Sequence, residues 1–350
     1  MVDDSATVRA RLVEILGRDP DLEVVGEAGD GRRAVELTAL LRPDVVTLDL
    51  ALPDMNGLAA TEQIMAHYPT PILIVSASFN RGELFDTYQA LAAGAVDVLD
   101  KPGDDDDAWE QRFLAAVRMV AKIRVITHPR GRLGAFGRAL GHPPVPAVVA
   151  AAGPERRPEV VALGASTGGP GALADVIAAL PPGLTPPILV VLHIGAPFAA
   201  GFATWLGERT ARRVRVAADG DPVDAFSGQV LFAPSGSHLV VERRRVRLTS
   251  EPARHHCQPS IDTLFESIAT SYGDRAAACL LTGMGRDGAA GLLAIRRAGG
   301  ITIAQDEATC IVYGMPREAA ELGAAQHVLP LQEIGPMIAQ LVARPAEAPR

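Results

Sequence analysis

The sequence has no apolar run near the roughly 20 residues that a membrane-spanning helix requires. Its first residues also lack the basic stretch followed by an apolar segment that marks a secreted protein. Cysteine is scarce, and Cys257, Cys279 and Cys310 are widely spaced and match no metal-ligand pattern. Reduced thiols are the simplest interpretation. Together these absences predict a cytoplasmic protein that does not insert into a membrane.

Lysine is nearly absent as well, since only Lys101 and Lys122 are lysines among 33 basic residues. Acidic residues dominate the start of the chain. Residues 1–107 hold 21 acidic and 8 basic side chains, a net charge of −13, whereas the remainder carries +5 and the whole chain −8. Net acidity without a basic stripe argues against a nucleic-acid partner. The 350 residues, 48% of them hydrophobic, are enough for two folded domains.

Short β-branched apolar segments alternate with segments of helical length in the first third of the chain, which predicts a parallel sheet with helices on both faces. The predicted strands are Leu22–Ala28, Val45–Leu48, Ile72–Val75 and Val96–Leu99. The predicted helices cover residues 5–17, 31–41, 57–67, 83–93 and 108–122. These elements predict a first α/β domain over residues 1–122.

Residues 123–158 are rich in proline, glycine, alanine and arginine without periodicity, which predicts an interdomain linker. The alternation of strands and helices then resumes, and it predicts a second domain over residues 159–345, again α/β with a doubly wound parallel sheet. Its predicted strands are Val160–Gly164, Ile188–His193, Gln229–Ala233, Ala277–Thr282 and Ile301–Gln305, followed by a short late strand that starts at His327.

Polar side chains stand at the carboxyl ends of three predicted strands in the first domain: Asp49, Ser76 and Lys101. Asp3 and Asp4, directly before a helix, would add two carboxylates at the same sheet edge, where doubly wound sheets bind ligands. Clustered carboxylates favour Mg²⁺, and a hydroxyl and an ammonium beside them would stabilise a phosphoryl group in transfer to Asp49. The alternative is that the acidic pair only caps a helix and that the lysine is a surface charge.

The first domain resembles the response-regulator receiver family in Asp3-Asp4-Ser5, Val45–Gly57, Val75-Ser76 and Lys101-Pro102. The resemblance implies a flavodoxin-like fold with Asp49 as the phosphorylation site. It also implies that Asp3, Asp4 and Asp49 surround Mg²⁺, and that Ser76 and Lys101 are switch and phosphate-contacting residues.

Two features depart from the receiver pattern. Family members carry a full strand before the acidic pair, whereas only Met1 and Val2 precede it here. We expect either an upstream start codon or a compromised receiver, with unpaired neighbouring strands and exposed apolar surface. The family also has an aromatic residue at the position of Val98, so the usual rotameric switch is expected to be altered.

A strand, a tight turn of small residues and a helix follow one another at the start of the second domain. Gly164–Gly168 fits the pattern G-x-S-x-G, in which the turn presents Ser166 as a nucleophile and the helix N-terminus offers N–H donors to an oxyanion. The same turn could cradle a dinucleotide pyrophosphate, which would make the chain an oxidoreductase. Against that alternative, the next predicted strand ends in His193, where a ribose-binding acid is expected.

A serine nucleophile needs a base, and His193 would lie at the same sheet edge as Ser166. His238 is the main competitor, although loop packing or substrate contact is the favoured interpretation of that residue. Asp287 is the candidate third member because it lies in a glycine-rich loop after the apolar run Ala277–Leu281. A helix cap is the alternative for an isolated aspartate at that place. The chain order serine, histidine, aspartate differs from that of α/β-hydrolases, so their fold is not implied.

The second domain resembles the chemotaxis protein-glutamate methylesterase family, and with the receiver the resemblance covers nearly the whole chain. The matching segments are Gly164–Pro170, Phe232–Leu239, Pro259–Asp262, Leu280–Leu292 and Thr302–Arg317. The resemblance implies a Rossmann-like fold with Ser166 as nucleophile, His193 as general base and acid, and Asp287 orienting the imidazole. It also implies backbone oxyanion donors at Thr167 and Met284, and no cofactor at this site.

The function that the resemblance implies is hydrolysis of methyl esters on chemoreceptor glutamates, with release of methanol, and deamidation of receptor glutamines to glutamates. The implied partners are the cytoplasmic helices of a chemoreceptor and a histidine kinase that phosphorylates the receiver. Besides the oxidoreductase, one rival class remains: a non-catalytic adaptor in which both domains only bind partners.

Overall fold

A computed structural model describes residues 1–76, 81–101, 107–123 and 157–343. The chain divides into two compact units, Met1–Ala152 and Gly153–Arg350. Most of the predicted linker, residues 123–158, lies outside the described residues, so its extent stays a prediction. In the described part of the chain, no helix combines the length and the apolar character needed to cross a membrane.

The N-terminal unit alternates helices with short strands, as its sequence predicts. Its elements are α1 (Ala6–Gly17), α2 (Gly31–Leu41), β1 (Val46–Leu48), α3 (Gly57–His67), β2 (Ile72–Ser76), α4 (Arg81–Ala92), β3 (Asp97–Asp100) and α5 (Asp107–Val120). Ser5, Asp30 and Asn56 begin the first three helices, because each side chain accepts a hydrogen bond from the backbone N–H three residues later.

The sheet of the N-terminal unit is parallel, with strands in the order β1–β2–β3. Val2 extends it by one residue on the other side of β1, since it bridges both Leu48 and Ala28. Across the sheet, the paired segments therefore follow the order Ala28, Val2, β1, β2, β3. This is the flavodoxin-like strand order, in which single bridges at Ala28 and Val2 stand in place of two strands. Helix α2 packs on α3 and α3 on α4, while α1 packs on α5. The predicted fold class of this domain is confirmed.

The predicted strand Leu22–Ala28 is wrong, because only Ala28 pairs there. Ala28 N–H donates to the Met1 carbonyl and Asp3 N–H donates to the Ala28 carbonyl. The pairing stops after this one residue, since a ladder needs a partner strand of matching length. A cavity of about 520 Å³ lies beside the segment and is lined largely by apolar side chains. Apolar side chains of residues 22–28 thus border this cavity next to Val2.

The C-terminal unit continues the same alternation on a larger scale. Its elements are β4 (Val160–Ala165), α6 (Gly169–Ala178), β5 (Ile188–Leu192), α7 (Ala196–Thr210), β6 (Val214–Val216), β7 (Val230–Phe232), β8 (His238–Glu242), β9 (Arg245–Thr249), α8 (Ile261–Tyr272), β10 (Ala276–Leu280), α9 (Ala289–Arg297), β11 (Ile301–Gln305), α10 (Met315–Glu321), β12 (His327–Leu329) and α11 (Leu331–Ala343). Strand β6 and the antiparallel hairpin β8–β9 are additions to the strands that the sequence predicts.

Seven parallel strands form the main sheet, in the order β12–β11–β10–β4–β5–β7–β6. All residues of β4, β5 and β10 are buried, as expected for strands covered on both faces. Helix α6 packs on α7 and α11, whereas α8 packs on α9. The predicted doubly wound α/β architecture is confirmed for this domain too.

The chain enters this sheet at its centre and fills one side before the other. It runs from β4 to β5 and outwards, then returns to β10 on the opposite side of β4. Strands β4 and β10 therefore flank the point at which the strand order reverses. Ligands of doubly wound proteins bind outside the carboxyl ends of the strands at such a point. Ser166 follows β4 there, and the loop Thr282–Gly288 follows β10.

Candidate active site

Ser166 lies in the turn between β4 and α6, at the centre of the sheet edge. Its N–H donates to the Thr282 carbonyl, which ties the turn to the loop after β10. A β-carbon on Gly283 would lie 2.6 Å from the Ser166 β-carbon, so only glycine fits opposite the serine. Gly168 has a φ of 76°, a left-handed conformation that glycine adopts freely, and it begins α6 directly behind the turn. The half-buried serine side chain is thus presented on a sharp turn at the N-terminus of a helix.

His193 stands beside Ser166 because β4 and β5 are parallel neighbours in register. The His193 N–H donates to the Ala165 carbonyl at 3.0 Å, so the two chain segments leave the sheet side by side. The imidazole Nε2 lies 2.9 Å from Asp287 Oδ2. The structure therefore brings His193 and Asp287 into direct contact next to the turn that carries Ser166.

Asp287 is buried and its carboxylate accepts several hydrogen bonds. Oδ2 accepts from the Ile261 N–H at 2.7 Å as well as facing His193, and Oδ1 accepts from Ser260 Oγ and the Asp262 N–H. These N–H groups belong to the first turn of α8, whose positive end favours an anion. Burial alone would raise the pKa of Asp287, but His193, Ile261 and Ser260 hold it below its usual value. The carboxylate is therefore a fixed negative charge behind the imidazole.

Cys257 occupies the other face of the histidine, and sequence reasoning missed it. Its Sγ lies 3.6 Å from His193 Nδ1, and its S–H donates to the His255 carbonyl at 3.4 Å. Burial by itself would lower the pKa of His193. The hydrogen bonds with Asp287 and Cys257 outweigh that effect and raise the pKa to about 9. No sequence pattern pointed to this cysteine, because the contact arises from a loop folding over the site.

The two ring nitrogens of His193 have separate partners. Asp287 holds Nε2, so Nδ1 is the nitrogen that remains for the hydroxyl of Ser166. Within the described residues, the ring bonds only Asp287 and Cys257, and no hydrogen bond yet joins it to Ser166 Oγ. The serine would have to displace the thiol from Nδ1 to reach the base.

The backbone amides of Thr167 and Met284 lie at the two loops that meet around Ser166. Neither N–H has a hydrogen-bond acceptor in the described part of the chain. The Met284 side chain is exposed, whereas Thr167 is buried. Two free donors at this place suit an oxyanion, the role that the family resemblance implies for them.

A buried polar network holds these loops together, and its members were not singled out from the sequence. Thr282 Oγ1 donates to the Thr167 carbonyl at 3.0 Å and accepts from the Val312 N–H. Gln305 Oε1 accepts from the Thr282 N–H at 2.8 Å. Thr282 and Gln305 lie in the family-like segments Leu280–Leu292 and Thr302–Arg317. That resemblance was the feature of the sequence that could have pointed to them. They fix the loops of Thr167 and Met284 relative to each other.

His238, the competitor for the role of base, is buried away from the serine turn. Its Nδ1 accepts from the Ser260 N–H at 3.1 Å, and its Nε2 lies 3.3 Å from the Pro252 carbonyl. Both ring nitrogens are thus engaged with backbone, in keeping with the loop-packing interpretation.

The acidic cluster of the N-terminal unit assembles at the carboxyl edge of its sheet. Carboxylate oxygens of Asp3, Asp4 and Asp49 lie within 4.8 Å of one another. Lys101 Nζ lies 2.8 Å from Asp3 Oδ2 and 2.7 Å from Asp49 Oδ2. Ser76 is buried at the end of β2, and its carbonyl accepts from the Lys101 N–H. The five predicted residues therefore gather at one edge.

The electrostatics of this cluster fit a cation or a phosphoryl group. Burial, helped by the neighbouring Asp49 carboxylate, raises the pKa of Asp3 in spite of Lys101. Burial would lower the pKa of Lys101, but the two carboxylates raise it. Asp3 Oδ2 is buried and has no hydrogen bond of good geometry within the described residues. That oxygen faces Lys101 Nζ, and together with two further carboxylates it gives the set of oxygen donors that a hard cation such as Mg²⁺ prefers.

Comparisons with known proteins find matches to both domains of the chain. A family model described as CheB methylesterase matches residues 161–338, and one described as response regulator receiver domain matches residues 1–111. The chain is 45% identical to protein-glutamate methylesterase/protein-glutamine glutaminase 2 of Anaeromyxobacter dehalogenans, over 95% of this chain and 94% of that protein. It is 42% identical to the protein of the same name from Pseudomonas aeruginosa, over 98% and 96%. The crystal structure of the Thermotoga maritima CheB methylesterase catalytic domain matches with a TM-score of 0.50 and 34% identity, over 53% of this chain and 99% of that one. The chain therefore belongs to the chemotaxis response-regulator family of protein-glutamate methylesterases.

Proposed function

We propose that this protein is a phosphorylation-regulated hydrolase that removes methyl esters from glutamates of chemoreceptors and deamidates receptor glutamines. The observation that carries the proposal is the bond between His193 and Asp287 beside the Ser166 turn, at the reversal point of the sheet. The relatives named above as methylesterases and glutaminases share nearly the whole length of the chain. The proposed substrate is the cytoplasmic helical part of a chemoreceptor.

Acylation follows from the roles of the two ring nitrogens. Ser166 Oγ attacks the ester carbonyl carbon while His193 Nδ1 accepts the hydroxyl proton. Asp287, on Nε2, orients the ring and stabilises the imidazolium that forms. The N–H groups of Thr167 and Met284 stabilise the oxyanion of the tetrahedral intermediate. When the carbon–oxygen bond to the methoxy group breaks, the imidazolium returns its proton and methanol leaves.

Deacylation repeats the sequence with water as the nucleophile. His193 takes a proton from water, the hydroxide attacks the acyl carbon, and Ser166 leaves with the proton that the imidazolium returns. The product is the glutamate carboxylate, whose proton passes to solvent. A glutamine side chain would follow the same route, with ammonia as the leaving group of the first step.

Regulation is assigned to Asp49. Its carboxylate would accept a phosphoryl group from a histidine kinase, with Lys101 and Ser76 contacting the phosphate oxygens. Asp3, Asp4 and Asp49 would hold Mg²⁺, which when bound neutralises charge on the phosphoryl oxygens. The support for this part is the gathering of the five residues at one sheet edge. We propose that phosphorylation raises the rate of ester hydrolysis.

The test is methanol release from methylated receptor fragments, measured with the full chain. Ser166→Ala is expected to abolish release, whereas Ser227→Ala, which alters an exposed serine whose hydroxyl donates to the Thr185 carbonyl, is expected to leave it unchanged. If folded wild-type protein releases no methanol, the esterase proposal is refuted and a non-catalytic adaptor is favoured. Release that survives Ser166→Ala would remove Ser166 from the role of nucleophile.

The regulatory part has a separate readout. A small phosphodonor with Mg²⁺ is expected to raise methanol release by the wild type and to have no effect on Asp49→Asn. Equal stimulation of both proteins would contradict phosphorylation of Asp49, while release without any stimulation would keep the esterase and point to a disabled receiver. Bound nicotinamide dinucleotide in native mass spectrometry would instead support the oxidoreductase alternative.

A further inference from the structure

A sulfur that has no role in the proposed hydrolysis faces the nitrogen of the proposed base inside the catalytic site. Cys257 Sγ lies 3.6 Å from His193 Nδ1, and both side chains are only partly buried. The loop that carries the cysteine is closed by a bridge between Arg254 and Cys257. Within the described residues, His193, Cys257 and Asp287 also offer ligand atoms that lie within 4.8 Å of one another.

The spacing of the two atoms matches the span across a zinc ion. Zinc binds thiolate sulfur at about 2.3 Å and imidazole nitrogen at about 2.0–2.1 Å, almost always with tetrahedral geometry. Two such bonds at a tetrahedral angle place sulfur and nitrogen about 3.6 Å apart. The distance between Cys257 Sγ and His193 Nδ1 is 3.6 Å. An ion could therefore enter between the two atoms with little movement of either side chain.

The far side of the histidine is already arranged as in zinc sites. Zinc-bound histidines commonly donate their second ring N–H to a carboxylate, which fixes the tautomer and makes the first nitrogen a better ligand. Asp287 Oδ2 lies 2.9 Å from His193 Nε2 and is itself fixed by the N-terminus of α8. This leaves Nδ1 directed away from Asp287, on the side of Cys257.

The type of ligand selects the metal. Thiolate and imidazole favour Zn²⁺, whereas Mg²⁺ and Ca²⁺ prefer oxygen. We propose that Cys257 and His193 form a Zn²⁺-binding site, with Asp287 supporting the histidine and water completing the coordination. On binding, the Cys257 thiol and the protonated Nδ1 of His193 each lose a proton to solvent, and the ion takes the two lone pairs that are freed. The same nitrogen is the proposed base for Ser166, so bound Zn²⁺ blocks ester hydrolysis reversibly. This consequence rests on the proposed function.

Metal binding is tested first without reference to activity, using Co²⁺ as a coloured substitute for Zn²⁺ on the full chain. The wild type is expected to develop a near-ultraviolet absorption band from charge transfer between thiolate and Co²⁺. Cys310→Ser, which alters another half-buried cysteine, is the matched control and is expected to develop the same band. Cys257→Ser is expected to lack the band, and added Zn²⁺ is expected to remove it from the wild type. Absence of the band in the wild type, or its persistence in Cys257→Ser, would overturn the site.

Inhibition is then measured as methanol release against the concentration of free Zn²⁺, each protein being compared with its own zinc-free rate. Wild type and Cys310→Ser are expected to lose activity and to regain it with a chelator, whereas Cys257→Ser is expected to need at least about tenfold more Zn²⁺. Equal sensitivity of all three proteins would contradict the proposal. If none of them releases methanol, the proposed function fails while the Co²⁺ band still decides the metal site.

Discussion

The strongest quantitative prediction concerns the protonation of His193. Its pKa is raised to about 9, because the contacts with Asp287 and Cys257 outweigh burial, which alone would lower it. A histidine with its ordinary pKa of about 6.5 is mostly neutral at pH 7, but one with a pKa near 9 is neutral in only about one molecule in 100. Only the neutral ring can accept the Ser166 proton. We therefore expect kcat/KM to rise about tenfold per pH unit from pH 7 and to level off near pH 9.

The same pKa shift has a consequence for stability. The higher pKa of His193 in the folded protein corresponds to about 3 kcal/mol of folding stability. Solvent screens this contribution little, because the side chain is only 14% exposed. The folded-state pKa lies above the unfolded value, so this stabilisation is fully present below about pH 6.5 and is lost as the pH rises through about 9. The wild type is accordingly expected to lose its thermal stability advantage over His193→Gln across that window.

The assay is methanol release at low substrate concentration between pH 6 and pH 10, with the Ser166→Ala rate subtracted because methyl esters hydrolyse spontaneously in base. Cys257→Ser is the informative variant. It removes one of the two contacts that raise the His193 pKa, so the rising limb is expected to move to lower pH. A wild-type profile that is already flat between pH 7 and pH 9 would refute the reasoning. It would mean that the histidine is neutral at rest.

Three further changes test the surrounding structure. Asp287→Ala leaves three donors at the N-terminus of α8 without their acceptor and is expected to cost about 3–5 kcal/mol of unfolding free energy in urea denaturation. The exposed Asp219→Ala, which removes a single acceptor from the Leu248 N–H, is expected to cost about 1 kcal/mol. Gly283→Ala places a methyl group 2.6 Å from the β-carbon of the proposed nucleophile and is expected to lower kcat/KM at least about tenfold by displacing it. Gly183→Ala, which meets nothing within 4 Å, serves as its control. Lys101→Met removes the ammonium between two buried carboxylates and is expected to reduce phosphorylation by a small phosphodonor. Phosphorylation is measured by phosphate-affinity electrophoresis, and Lys122→Met, at the chain's other lysine, is the control that is expected to have no effect.

Much of the candidate site could be predicted because its residues follow strands of parallel sheets. The carboxyl ends of parallel strands meet at one edge, so Ser166 after β4 and His193 after β5 had to be neighbours once the sheet was recognised. The same reasoning brought Asp49, Ser76 and Lys101 together in the N-terminal unit. In these cases the chain position of a residue relative to a strand is enough to place it.

Features that depend on tertiary contacts could not be predicted in this way. Leu22–Ala28 has the composition of a strand, but it pairs at Ala28 alone, and pairing depends on a partner segment elsewhere in the fold. Cys257 lies in an irregular loop, so no periodicity indicated that its sulfur faces the histidine. The same holds for Ser260, whose hydroxyl reaches Asp287 from the start of α8.

Asp287 shows why fold and chemistry are coupled in this site. One carboxylate caps α8 through Ile261 and Asp262 and also holds Nε2 of His193, so the position of the base depends on the packing of that helix. A buried carboxylate would be costly if it served the histidine alone, because burial disfavours its charge. The helix N-terminus offsets this cost with N–H donors and a favourable dipole, and it keeps the anion in place before any substrate arrives. The capping interpretation and the catalytic interpretation of this aspartate are therefore one arrangement, in which the fold supplies the charge that the imidazolium needs.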